Sequence, residues 1–377
     1  MSQSIYWLDI YNRDPQFLSV ASYSLTEAGF SVIFSGPGGK YSWDLCGQHE
    51  CLPALGFGSF LKMPQLSTGI VNFLRRAART RSVLIYTTSL RLPYIDACIM
   101  LGAKILKVNV IHIVHKPFPN CLVKQIKPSR AVRCFYGLAG EIVTLSNYTK
   151  RKLVESRLAS QAVTTSVAMP SYKRWFDWRG VAGSIASCQE DLKNLVPSMS
   201  GKIVVSFLSN ARQENGYFEI LDYLASNKFE DIFFIFLVGG RLNNQADTST
   251  GDSLAPNYGA IIRRRYSDEE LTFLLQSSDA VITPYTAATQ SSVITCALGF
   301  GCQLISTSVG ACEEQIPNGM GNTFNFSDAG QLEAALNNLK KLTAKERLNR
   351  SKRYEKFLER NAFTARFVEV KSRSEAC

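Results

Sequence analysis

The sequence has little of what metal, disulfide or membrane-spanning proteins are built from. Histidine is scarce: His49, His112 and His115 are the three in 377 residues. The ten cysteines are scattered, with no Cys-x-x-Cys pair and no Cys/His cluster at zinc spacing, which leaves no ligand set for a structural metal. They read as buried thiols in a reducing compartment. Long hydrophobic runs are also missing. The cleanest, Ile232 to Gly240, has nine residues against the roughly 20 that a spanning helix needs. The first residues carry no basic region, and Asp9 interrupts their apolar run, so a secretory signal is not expected and the protein is expected in the cytoplasm. No phosphate loop ends in Gly-Lys-Ser/Thr, and no Gly-x-Ser-x-Gly elbow occurs. Ser35-Gly-Pro-Gly-Gly-Lys40 lacks the third glycine of a dinucleotide fingerprint and reads as a plain turn. No basic stretch is interleaved with aromatics, so nucleic acid is not an expected partner.

What is present is apolar material and an uneven charge. Hydrophobic residues make up 46% of the chain and charged ones 19%, which excludes a disordered chain and a coiled coil. The length is that of two ordinary domains. The net charge is +11, and all of it lies in residues 1–172, where 19 Lys and Arg stand against 8 Asp and Glu; the remaining residues hold 23 of each. Such asymmetry points to an anionic partner for the first half or to a basic solvated face. In Gly69–Arg81, Ile70, Phe73, Leu74 and Ala77 recur at helical spacing and Arg75, Arg76, Arg79 and Arg81 crowd the end. Such a helix can lie in an anionic bilayer surface, or face a core with its arginines complementing the dipole.

Strand-like runs at 4–10, 31–36, 83–87, 107–113, 141–145 and 163–168 alternate with helical patterns at 15–29, 67–81, 89–103 and 147–158. After an irregular stretch the rhythm restarts, with strands at 202–208, 232–238, 260–263, 280–283, 303–306 and 323–326 and helices at 215–227, 267–277, 291–300 and 328–341. The pattern predicts an α/β protein of two doubly wound parallel-sheet domains, Rossmann-like, facing across a cleft. The expected division is a basic domain at 1–172, a linker at 173–200, a second domain at 201–342 and a helical tail at 343–377 packing back toward the first domain. Ligands of such sheets bind beyond the carboxyl ends of the strands.

The stretch from Asp279 carries the sharpest local signal. A strand ends at Pro284-Tyr285, a small polar loop follows, and a helix begins near Gln290-Ser291-Ser292 and ends on Gly299 to Gly301. Loop amides and a helix N-terminus make an anion site, and Ser291 and Ser292 can either cap the helix or donate to phosphate.

Read as Pro-Tyr, loop, Gln-Ser-Ser, helix, Gly-x-Gly, strand, Ser-x-Ser-Val-Gly and Glu314, the 38 residues Asp279–Ile316 resemble the donor site of GT-B glycosyltransferases of the family-four type, in the bacterial polysaccharide branch with Pro-Tyr…Gln-Ser-Gly. Asn12-Arg-Asp-Pro-Gln16, Val110-Ile-His-Ile-Val-His-Lys116, Val143-Thr-Leu-Ser146 and Leu208-Ser-Asn-Ala-Arg-Gln-Glu-Asn-Gly216 resemble further motifs of that branch. The resemblance implies a nucleotide-sugar donor, UDP- or GDP-linked, held by the second domain, with Arg212, Asn215, Gln290, Ser291, Ser292 and Glu314 around its diphosphate. It places His115 against the transferred sugar. A strand-end histidine can equally be a core residue. Asp9 or Asp14 could serve as base toward an acceptor hydroxyl, and either could instead cap the following helix, with Pro15 at its first position.

Departures stand beside the resemblance. Two glutamates that many members hold eight positions apart are Ala288 and Cys296 here, the lysine before Gly216 is Asn215, and the arginine after the turn glycine is Asn210. Arg212 is left as the cation of its turn. The leading expectation is a metal-independent glycosyltransferase acting on a lipid-linked or oligosaccharide acceptor in polysaccharide or glycoconjugate biosynthesis, peripheral at the inner face of an anionic membrane and without a cofactor. The alternative is a non-catalytic glycosyltransferase-like partner subunit.

Overall fold

A computed structural model of the chain describes residues 4–11, 15–37, 48–52, 63–88, 90, 92–117, 127–239, 258–360 and 362–369. The chain forms two compact units, Met1–Pro170 with Asn361–Cys377, and Ser171–Arg360. Each is built on one parallel sheet.

The first unit runs β1 (Ser4–Asp9), α1 (Pro15–Glu27), β2 (Ser31–Pro37), β3 (Gln48–Leu52), α2 (Met63–Arg79), β4 (Val83–Thr87), α3 (Pro93–Ile105), β5 (Asn109–Val114), α4 (Arg130–Leu138), β6 (Glu141–Thr144), α5 (Asn147–Glu155) and β7 (Thr164–Ser166). The strand order is β3-β2-β1-β4-β5-β6-β7. The direction of winding reverses between β1 and β4, which makes their carboxyl ends a topological switch point. Strands such as β4 are buried along their whole length, because helices cover both faces. Tyr6, Leu8, Leu84, Tyr86 and Val110 meet Phe73, Met100, Phe135 and Leu153 from α2, α3, α4 and α5 in one core. On the other face, Phe17 of α1 packs edge-on against Trp7 and Phe363.

The second unit contains α6 (Tyr172–Trp178), α7 (Glu190–Lys193), α8 (Val196–Met199), β8 (Ile203–Asn210), α9 (Tyr217–Ser226), β9 (Ile232–Gly239), β10 (Gly259–Arg263), α10 (Asp268–Ser277), β11 (Ala280–Thr283), α11 (Ser292–Gly299), β12 (Gln303–Thr307), β13 (Gly321–Phe324), α12 (Ala329–Asn337) and α13 (Ala344–Glu359). Its strand order is β10-β9-β8-β11-β12-β13, with the switch point between β8 and β11. Capping boxes start α10 (Ser267 with Glu270) and α13 (Thr343 with Glu346), satisfying first-turn amides that would otherwise be orphaned.

Three expectations change. Residues 173–200 are not a bare linker: they carry α6, α7 and α8, and Trp175 and Phe176 of α6 are buried within the second unit. The tail divides. Helix α13 stays with the second unit, while residues after it return to the first, where Phe363 and Phe367 are buried and Arg366 donates to Glu141 at 2.5 Å. The apolar face of α2, with Leu66, Ile70, Phe73, Leu74 and Ala77, is spent on the sheet core, so that helix faces inward and its outer side carries the arginines and Val71. Arg76 is paired with Glu50. Ser35–Pro37 extend β2; the rest of the glycine-rich turn lies outside the described residues.

One buried carboxylate joins three parts of the second unit. Asp279, just before β11, accepts from Val204 N of β8 at 3.0 Å through one oxygen, and from Leu342 N at 2.8 Å and Arg347 Nη2 of α13 at 3.1 Å through the other. Its side chain is 3% exposed. Asp279→Ala removes the ion pair of a half-buried guanidinium and strands two amides, so we expect a loss of about 3 kcal/mol, read as a lower midpoint in urea unfolding. A midpoint equal to that of the parent would show that the Asp279 carboxylate does not hold α13 in place.

Candidate functional site

The carboxyl edge of the second sheet is assembled around its switch point. After β8 the chain makes a 3-10 turn, Gln213–Asn215, that ends on Gly216 in the left-handed region at φ 67°. A Cβ at Gly216 would lie 1.5 Å from the Pro284 carbonyl oxygen, so only glycine lets this turn press against the loop that follows β11. Gly310, after β12, does the same from the other side: φ is 62°, and a Cβ would lie 1.7 Å from the Ala288 carbonyl oxygen. The loop from Pro284 to Ser291 is thus gripped between two glycine turns. Thr286 N and Ala287 N donate to Glu214 O at 3.1 and 3.3 Å, and Thr286 Oγ1 donates to Gln213 O at 2.9 Å.

These contacts bring the turn of Arg212 and Asn215, the loop end at Gln290, Ser291 and Ser292, and the turn of Glu314 to the ends of three strands. Their side chains differ in what they do. Ser291 is committed: it caps α11 by accepting from Ile294 N at 3.3 Å, lies 2.7 Å from Tyr285 Oη, and is 5% exposed. Its own N–H donates to Gln315 Oε1 at 2.8 Å, and Gln315 Nε2 donates back to Ser291 O at 3.2 Å. Gln315, which sequence reading missed, is therefore the side chain that fixes the start of α11. Ser292 is the first residue of that helix and is half-buried. Its amide and that of Val293 precede the first intrahelical bond and belong to the electropositive end of the helix. Asn215 closes its turn by donating from Nδ2 to Asn210 O at 2.9 Å. Arg212 is exposed, its Nη1 at 3.8 Å from Glu214. Glu314 is half-buried in the 3-10 turn Glu313–Gln315. Two oxygens, Thr283 Oγ1 and Gln290 Oε1, are buried with no hydrogen-bond partner among the described residues. Buried polar atoms are rarely left so unless a ligand or water completes them.

The first unit has its own carboxyl edge. Asp9 ends β1 at the switch point and is 5% exposed; it accepts from Tyr11 N at 2.8 Å and from Thr87 Oγ1 of β4 at 3.1 Å. The carboxylate thereby ties β1 to β4 at their ends. Asp14 lies outside the described residues; α1 does begin at Pro15. His115 follows β5, is partly buried, and packs edge-on against Phe17 of α1 at 4.2 Å between ring centroids. His112, three residues earlier and within β5, is a core histidine: its Nδ1 is 3.0 Å from Tyr86 O, and burial pushes its pKa down to about 4.

Beside Asp9 sits a cluster that sequence reading did not find. Asp96, in the first turn of α3, accepts from Tyr86 Oη at 2.5 Å, Thr88 Oγ1 at 2.8 Å and Tyr11 Oη at 3.1 Å. Burial raises its pKa to about 6 in spite of these three donors, and holds the Tyr11 and Tyr86 hydroxyls well above the usual phenol range. The folded chain therefore binds a proton at Asp96 more tightly than the unfolded chain, whose carboxyl titrates at about 3.8. The stability this supplies is complete below pH 4 and is lost as pH rises through 6, on the order of 2–3 kcal/mol. We expect Asp96→Asn to flatten that slope in denaturation series between those limits. An unchanged slope would show that Asp96 stays ionised in the fold.

Compared with known proteins, the chain matches no family model and no curated protein. Solved structures do match along its whole length. A glycosyltransferase from Rickettsia africae aligns with a TM-score of 0.67 at 15% identity, covering 96% of this chain and 94% of its own. HepE of Anabaena, solved in complex with UDP, aligns with a TM-score of 0.65 at 12% identity over 100% of both chains. Sucrose-phosphate synthase from Thermosynechococcus elongatus aligns with a TM-score of 0.66 at 11% identity over 99% of both. The fold is the GT-B fold. In this chain it consists of two doubly wound parallel sheets in succession, with a chain end that returns to the first unit.

Proposed function

We propose that the chain is a nucleotide-sugar-dependent glycosyltransferase of the family-four type. The observation that carries this reading is the grip on the Pro284–Ser291 loop, which sets a helix N-terminus, two unpartnered buried oxygens and Arg212 around one switch point. That is the chemistry a nucleoside diphosphate needs: amides and a guanidinium for its charge, buried acceptors and donors for its neutral groups. HepE, an aligned neighbour, was solved with UDP and with UDP-glucose. UDP is accordingly the first donor nucleotide to test, and GDP the second.

In the transfer, the bond between the sugar's anomeric carbon and the diphosphate oxygen breaks while an acceptor hydroxyl bonds to that carbon and gives its proton to the leaving diphosphate. The leaving diphosphate gains charge, and Arg212 and the first-turn amides of α11 are the groups we assign to stabilise it. We read the step as metal-independent, since the sequence carries no Asp-x-Asp pair. His115 is the side chain we place against the sugar. Asp9 is already held by Tyr11 and Thr87, which suits a positioning carboxylate better than a free base. The acceptor we propose is a lipid-linked or oligosaccharide hydroxyl in polysaccharide assembly, met by the basic first unit at the cytoplasmic membrane face. None of the described helices is long and apolar enough to cross a membrane.

Two measurements test this. Arg212→Ala should weaken UDP binding by about 1.5–3 kcal/mol, a roughly 10- to 150-fold rise in Kd by calorimetry; unchanged affinity would remove Arg212 from the site. A parent chain that binds neither UDP nor GDP would leave a fold without its donor chemistry, as in a partner subunit. His115→Ala should lower the rate of UDP release from the sugar donor by about 10²-fold, with UDP affinity kept. Full turnover in that variant would make His115 a packing residue.

A further inference from the structure

Helix α3 turns an apolar stripe outward. Tyr94, Cys98, Leu101 and Ile105 stand at i, i+4, i+7 and i+11, so they share one side of the helix over about 16 Å. Tyr94 is 73% exposed, Leu101 46% and Ile105 71%, and Cys98 is exposed beside them. The opposite side, with Ala97, Ile99, Met100 and Ala103, fills the core. Folding accounts for the inner face and leaves the outer one unused.

The stripe is framed by cations. Helix α3 packs against both α2 and α4 on the same face of the sheet. Arg75 and Arg79 of α2, Lys104 and Lys107 at the end of α3, and Arg130 and Arg133 of α4 are all exposed. The three helices hold one acidic residue between them, Asp96, and it is buried. An outer layer with apolar centre, basic flanks and no exposed acid has one complementary surface of common chemistry.

We propose that this face docks on an anionic lipid bilayer, with Tyr94, Leu101 and Ile105 entering the interface and the flanking arginines and lysines at the headgroups. Side chains at an interface divide in this way because apolar groups leave water while long cationic ones keep their heads in it. Charge decides against a second copy of the chain as occupant, since pairing two such faces would set six like charges against six. The proposal deepens the membrane-linked acceptor reading above and rests on it for its purpose; it moves the inserting element from α2, whose apolar face is buried, to α3.

The test is flotation of the full chain with vesicles of phosphatidylcholine containing one third phosphatidylglycerol, at low and high salt. The parent chain should float at low salt, be released at high salt, and ignore pure phosphatidylcholine. The triple variant Tyr94→Ser, Leu101→Ser, Ile105→Ser, altered only on the outer face, should partition about tenfold more weakly or less, with its thermal unfolding and UDP binding kept. Ile105→Trp should show a blue-shifted indole emission on the anionic vesicles and quenching by brominated acyl chains. No flotation of the parent, full flotation of the triple variant, or an unshifted indole would each overturn the proposal. So would a lipid-free dimer in sedimentation velocity that the triple variant dissolves while the parent ignores vesicles. Failure of flotation with UDP binding intact removes the docking and leaves the donor reading; flotation without UDP binding supports the docking and removes the donor reading.

Discussion

On either side of the Pro284–Ser291 loop the backbone of the second unit comes too close to itself for a side chain, and the candidate site follows from that. Gly216 and Gly310 sit against the carbonyls of Pro284 and Ala288 from opposite sides. Both adopt positive φ, which an L side chain takes only at a cost of roughly 1 kcal/mol or more. The loop between them cannot relax outward without losing the bonds from Thr286 and Ala287 to Glu214 and the clamp of Gln315 on Ser291. A loop fixed in this way presents a helix N-terminus in one position. Preorganised dipoles of this kind stabilise developing charge without reorganising when it forms.

The first unit follows a different logic at the same place in its topology. Its switch point is closed by side chains: Asp9 bonds across to Thr87, and Asp96 gathers Tyr11, Tyr86 and Thr88. The three hydroxyl donors to Asp96 come from the loop after β1 and from β4 and its exit, so one carboxyl sets the mutual position of those segments. Burial works against the charge that makes it a good acceptor, which is why its pKa rises even among donors.

Much of the architecture could be read from the sequence, because strongly periodic segments report their own burial. The run Ile232–Gly239 is apolar at every position and becomes a strand covered on both faces. Strand β3, Gln48–Leu52, was not foreseen: a short polar edge strand has one neighbour and no core face to impose alternation. Helix α4 was missed too, although Ser129 caps it and Ala131, Val132, Phe135 and Tyr136 mark its inner side. The amphipathic pattern of α2 was legible, but amphipathicity alone does not separate a core from a lipid surface. Only the sheet beneath it decided that. At the site, the residues of Pro284–Ser292 were legible as a motif. Gln315 and Asp96 were not, since their partners lie 24 residues away in one case and up to 85 in the other.

The departures from the resembling enzymes acquire a physical reading once burial is known. Ala288 and Cys296 stand where many of those enzymes hold glutamates, and here they are 7% and 6% exposed. Desolvation pushes the Cys296 thiol well above its ordinary range, which is the mark of a site hostile to negative charge. A glutamate at either position would have to ionise in that setting or find a cation, and the cation of the neighbouring turn, Arg212, already points to solvent. Gly310 presses on the Ala288 carbonyl, so a larger side chain at 288 would also have to turn away from that turn. The loss of the glutamates is thus matched to the packing of the loop rather than left as two isolated gaps. On the glycosyltransferase reading proposed above, the groups left for a donor sugar are backbone amides, Gln290 with its unpartnered oxygen, and Arg212.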